Sequence, residues 1–198
     1  MAHHLILAST SAYKKMLMER LKIPFTCVAP NTKEQAMPNE TAQSLAIRLA
    51  KEKALAVLAH YPDSIIIGSD QVGEIKGKIL GKPGTFDKAV AQITNQSGQK
   101  VYFHSAICVV MQNKMGDISH QSKINTTEVH FKTLNQQQIK QYLKVEQPYD
   151  CAGSFISEGL GISLFSSINS DDPTSLIGLP LIDLCSILES YDVEIPNV

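Results

Sequence analysis

The sequence predicts an α/β protein with a mixed sheet, and three features predict it. Apolar runs at residues 5–8, 25–29 and 65–72 alternate with stretches of helical spacing. Two longer segments, 101–112 and 123–132, alternate apolar and polar residues around a polar turn at 113–117, which is the pattern of an antiparallel pair. No internal repeat or low-complexity linker divides the 198 residues, so residues 1–198 read as a single domain.

The elements follow in order. Residues 5–8, Leu-Ile-Leu-Ala, end at Ser9-Thr10-Ser11, after which Met16, Leu17, Leu21 and Ile23 fall near helical spacing. That gives strand, hydroxyl-rich turn and helix. A second strand at 25–29 stops at Pro30, and a helix starts near Thr41 with Leu45, Leu49, Ala50, Ala54 and Leu58 on its apolar face. The run 65–72 is read as a strand that stops at Asp70, followed by a hairpin-like segment to Leu80 and by Gly81-Lys82-Pro83. Thr85 is the expected N-cap of a helix to Gln96, and Gly98 ends it. Asn135 is the expected cap of a helix over 134–145, which Pro148 closes. A short strand at 162–165 and a final helix at 181–188 complete the chain.

Composition narrows the function classes. Apolar residues make up 43% and the formal net charge is −1, so a general attraction to nucleic acid or to an anionic membrane is absent, and phosphate binding must be local. No stretch approaches a membrane span, and no signal peptide is evident, which makes the cytoplasm the default expectation. Cys27, Cys108, Cys151 and Cys185 are far apart without metal-ligand spacing and are expected to be reduced, buried thiols.

Three segments carry chemistry-bearing residues. Ser9, Ser11, Lys14 and Lys15 surround a helix start, where hydroxyls, free backbone N–H groups and cations suit phosphate; Ser11 also reads simply as a cap. Glycines of a Walker loop are missing. Asp70 ends an apolar run, and Lys82 follows on a rigid turn; taken alone the carboxylate reads as a turn cap, the commoner role of Asp after a strand. Lys53 lies on the helix that begins near Thr41.

Read together, Leu7-Ala8-Ser9-Thr10-Ser11-Ala12-Tyr13-Lys14-Lys15, Arg48-Leu49-Ala50-Lys51-Glu52-Lys53-Ala54, Gly68-Ser69-Asp70-Gln71, Gly81-Lys82-Pro83, Cys151-Ala152-Gly153-Ser154-Phe155 and Ile177-Gly178-Leu179-Pro180-Leu181 resemble the Maf family of nucleoside triphosphate pyrophosphatases. The likeness spans essentially the whole chain. It implies an elongated, ITPase-like mixed sheet with flanking helices and two lobes around a deep cleft. It further implies hydrolysis between the α- and β-phosphates with a divalent cation, Mg²⁺ or Mn²⁺. Asp70 matches the family's proton acceptor, Glu34 an acid that serves metal or water, and Lys14, Lys53 and Lys82 the phosphate cations. Asp70 and Glu34 are thereby the candidate metal ligands, and for Asp70 ligation and general-base action remain alternatives.

Two positions depart from the family pattern. Arginine commonly stands where this chain has Lys14, and aspartate where it has Lys33. A lysine offers a point charge without the two-pronged guanidinium geometry. Specificity is expected at Tyr13, Gln71 and Glu158. An aromatic residue and a glutamate at the first and last resemble the 7-methyl-GTP branch, whereas the dTTP/UTP branch has arginine and glutamine there. When the family pattern is set aside, Tyr13 reads rather as a ring packed on the first helix and Glu158 as a carboxylate solvated on a turn. A nucleotide-binding regulator linked to septum formation, without turnover, is the alternative class; Asp70 argues against it, since a carboxylate beside phosphate cations repels the ligand unless a cation intervenes. Family members are often homodimers, and the antiparallel arm is the candidate contact.

Overall fold

The structure is a computed structural model that describes residues 4–195. One mixed sheet organises it. Strands β1 (His4–Ala8), β2 (Phe25–Cys27), β3 (Ser64–Ile75), β4 (Lys78–Leu80), β5 (Lys100–Gln112), β6 (Ile118–Phe131) and β7 (Phe165–Asn169) are ordered β2-β1-β3-β5-β6-β7, with β4 added to the far part of β3. β1 runs parallel to both β2 and β3, and every other pairing is antiparallel. Among the described residues five α-helices flank the sheet: α1 (Ala12–Glu19), α2 (Ala42–Leu58), α3 (Phe86–Gln96), α4 (Gln136–Glu146) and α5 (Leu181–Glu189).

Local chemistry starts four of these helices where the sequence places the starts. The side chains of Ser11, Thr41, Thr85 and Asn135 each accept the backbone N–H three residues on, and Asn135 with Gln138 forms a reciprocal capping box. α1 is shorter than its apolar spacing suggests: it buries Leu17 and Met18, leaves Met16 exposed, and ends before Leu21 and Ile23.

Burial follows strand alternation. Ile66 and Val72 face α2, packing with Leu45, Leu49, Ala50 and Ala54, while Ile65 and Ile67 face α1 and α5, packing with Leu17, Leu184 and Leu188. The sheet is thus covered on both sides in this lobe. In the other lobe α3 and α4 close over Phe103, Val129, Phe131 and Phe165.

Four expectations are corrected. β3 does not stop at Asp70; it continues to Ile75, with Asp70 in register with Ala106, because a lysine on α2 meets the carboxylate and lets the strand pass through. Residues 160–164 form a short 3-10 turn, and the strand begins at Phe165. Gly159 and Gly161 both donate their N–H to the Ile156 carbonyl, which tightens the chain there, and Ile162 stands 54% exposed instead of facing a sheet neighbour. Of the four cysteines, all free, only Cys108 is buried. β6 starts five residues before the expected position, so the β5–β6 arm pairs from Lys100–His130 to Gln112–Ile118.

Among the described residues no helix is long and apolar enough to cross a membrane.

Candidate active site

The site lies where β3 loses a neighbour. β1 pairs with β3 up to Gly68 and β4 from Gly73, so the edge from Ser69 to Val72 is unpaired between them. A cleft of about 880 Å³ opens there, lined by the Ser9–Lys14 segment, Glu34, Lys53, Asp70, Gln71, Lys82, Asp150, Cys151, Glu158 and Gly178.

Its most constrained feature is a carboxylate–lysine–carboxylate group. Lys53 of α2 holds Asp70 Oδ1 and Glu34 Oε1, each 2.5 Å from its Nζ. The side chains of Lys53 and Asp70 are 9% and 11% exposed, whereas Glu34 is 49% exposed. Burial alone would lower the Lys53 pKa, but the two carboxylates outweigh it and hold it above its ordinary value. Glu34 is conversely held below the usual carboxylate range: the Lys53 ammonium overcomes the opposing effect of burial.

Lys14 approaches from α1. Its Nζ donates to the Ser69 carbonyl at 2.7 Å, one residue before Asp70. Desolvation brings its pKa down to about 8, and repulsion from Lys53 adds to this, against the attraction of Asp70. Ser9 and Ser11 are in the cleft wall, with Ser9 Oγ accepting from Ser11 N and Ser11 Oγ from Lys14 N, so both hydroxyls shape the turn. Lys82 is exposed at the cleft wall.

Two predicted site residues sit differently from expectation. Lys15 points away from the cleft, 3.9 Å from Glu19 on the exposed side of α1, because adjacent helix positions cannot share a face. Gln71 is turned inward: its Nε2 donates to Ser105 Oγ and to the Ser175 and Leu176 carbonyls, 2.9 Å each. It braces the 175–178 segment, as does Ser69 Oγ donating to Gly178 O at 2.9 Å. Tyr13 and Glu158 both line the wall; burial first, then the acidic groups of Cys151, Glu158, Asp150 and Glu146 nearby, raise the Tyr13 phenol.

Sequence reasoning missed the bracing around these groups. Arg48 grips Glu40 with Nε and Nη2 at 2.7 and 2.8 Å and donates to the Gln35 carbonyl at 3.0 Å, tying the segment that carries Glu34 to α2. Its only signal was membership of the Arg48–Ala54 motif. Asp150, which lines the cleft, stands in none of the sequence motifs.

Fold and site together define an α/β protein whose cleft gathers lysines around paired carboxylates. Residues 4–191 match the family described as Maf-like protein. Over 191 residues the chain is 47% identical to a 7-methyl-GTP pyrophosphatase of Colwellia psychrerythraea, covering 96% of this chain and 94% of that protein. It is 48% identical over 192 residues to a 7-methyl-GTP pyrophosphatase of Xanthomonas axonopodis pv. citri, covering 97% and 98%. The Ham1 protein of Staphylococcus aureus shares the fold, with a TM-score of 0.54 at 13% identity over 95% of this chain and 99% of that one. The chain belongs to the Maf family.

Proposed function

We propose that the chain hydrolyses a nucleoside triphosphate between the α- and β-phosphates, with 7-methyl-GTP as the preferred substrate. The observation that carries the reading is Lys53 held between Glu34 and Asp70 on the unpaired edge of β3, with Lys14 and Lys82 lining the same cleft. The full-length relatives that bear this activity's name support it.

In this reading Lys14, Lys53 and Lys82 counter the charge of the triphosphate so that water can approach the α-phosphorus. Asp70 takes a proton from that water, the new P–O bond forms, and the bridging oxygen departs with pyrophosphate. Glu34 holds Lys53 from the open side and keeps its charge in place. Glu34 and Asp70 also form a donor set that fits a divalent cation: Mg²⁺ takes one or two carboxylates and fills its remaining positions with phosphate and water. When bound, Mg²⁺ or Mn²⁺ supplies charge neutralisation and a more acidic water.

Pyrophosphate release from 7-methyl-GTP, GTP, UTP and dTTP, measured with each cation, tests the assignment. Fastest release from 7-methyl-GTP is expected; no release from any nucleotide overturns enzyme action, and preference for UTP or dTTP overturns the substrate. Glu158→Gln removes an acceptor for the base N1–H and amino group, so kcat/KM on 7-methyl-GTP is expected to fall about tenfold, the scale of a charged hydrogen bond. Activity on UTP should be spared. Equal losses on both would show that Glu158 does not read the base.

A pH profile tests Lys14. Below about 8 its ammonium is charged in the free protein, and above that it is lost, so kcat/KM should fall as pH rises through this region. Lys14→Arg stays charged and should remove this limb. An identical limb in both proteins would assign it to another group.

A further inference from the structure

The cleft is electrically divided. The charges that bear on Lys14 are those of Asp70, Lys53, Glu34 and Lys82; the groups that bear on Tyr13, its neighbour in sequence, are all acids, first the Cys151 thiol, which burial pushes up to about 12, then Glu158, Asp150 and Glu146, and the one cation that reaches Cys151 is Lys82. Glu146 is already committed, since its Oε2 accepts the Leu160 N–H at 2.5 Å. Glu158 and Asp150 both line the cleft.

Asp150 is held in place there. Its turn is tied to the loop that follows Lys82, with Gly84 N donating to Tyr149 O at 2.8 Å, and Cys151 N donates back to Pro148 O at 3.3 Å. The Cys151 thiol donates to Asp150 Oδ1 at 3.6 Å. Among the described residues Asp150 has no ion-pair partner.

A carboxylate in the wall of a polyphosphate cleft repels its ligand unless something in that ligand repays it. A neutral guanine presents its N1–H and amino group to one carboxylate, and Glu158 suffices for that. A second carboxylate gains only from positive charge on the ring. Methylation at N7 creates such a charge, which the Tyr13 face also favours.

We propose that Asp150 is a specificity-determining residue that selects a cationic purine ring, acting beside Tyr13 and Glu158 at the base end of the cleft. The inference rests on the pyrophosphatase reading and names the charge that its base end takes.

The test is equilibrium binding of 7-methyl-GMP and GMP to the wild type, Asp150→Asn and Asp150→Glu, at low salt and mildly acidic pH, where the methylated ring keeps its N1 proton and charge. The wild type should prefer 7-methyl-GMP. Asp150→Asn should lose about two- to fivefold of that preference, the range of a solvent-exposed charge contact: 7-methyl-GMP loses an attraction, while GMP, relieved of an unrepaid repulsion, binds no more weakly than to the wild type. Asp150→Glu should retain it, and added salt should erode it. Equal changes for both nucleotides in Asp150→Asn, or none, overturn the proposal. Binding needs no turnover, so a protein that releases no pyrophosphate would refute the pyrophosphatase reading while the Asp150 comparison still gave its own answer.

Discussion

Asp70→Asn is expected to lower turnover by about 10²- to 10⁴-fold, the usual contribution of a positioned general base. The substitution is nearly isosteric, and the amide oxygen can still accept from Lys53, so position 70 keeps its place in β3 opposite Ala106. Asn cannot take the proton. It also leaves Lys53, whose side chain is 9% exposed, with Glu34 as its one remaining anion, and breaking a buried pair from one side destabilises more than removing both members. The melting temperature of Asp70→Asn should therefore fall, and Lys53→Met combined with Asp70→Asn should recover part of it without recovering activity. That pattern separates chemistry from stability. Pyrophosphate release within threefold of wild type in Asp70→Asn would remove Asp70 from the reaction.

The same residue shows what the sequence conceals. Gly68-Ser69-Asp70-Gln71 looks like the end of a strand because a glycine and three polar residues follow an apolar run. The strand continues because each polar group is answered by a partner far along the chain: Asp70 by Lys53, Ser69 by Gly178, and Gln71 by Ser105, Ser175 and Leu176. Such pairings leave no local trace. Helix starts are different, since Thr41, Thr85 and Asn135 satisfy N–H groups only three residues away and are therefore legible. Lys14, Lys53 and Lys82 were brought to one cleft by a whole-chain pattern, not by spacing. Lys15 stands outside the cleft for a local reason that helical geometry supplies, and nothing in the sequence sets Asp150 apart from other turn carboxylates, since only its place in the cleft wall does so.

Gly68→Ala is expected to cost about 3 kcal/mol or more, at the upper end of overpacking effects. A Cβ there would stand 2.1 Å from the Ala50 carbonyl oxygen, 2.8 Å from Ala54 N and 2.9 Å from Ala54 Cβ. The first two are helix backbone, so no side-chain rotation relieves the contact; α2 must move away from β3 as a unit. For a chain of this size the melting temperature should drop by roughly 10 °C. Activity should fall as well, even far below the melting point, because Lys53 sits on α2 between the two alanines that meet Gly68 and Asp70. Displacing the helix lengthens the Lys53–Asp70 contact and unseats the charge at the cleft. Gly81→Ala is the control for stability, since a Cβ at Gly81 meets nothing within 4 Å. Thermal melts and pyrophosphate release on the two variants decide the matter: unfolding of Gly68→Ala within a degree or two of Gly81→Ala would mean that α2 does not depend on this close approach to hold Lys53 against Asp70.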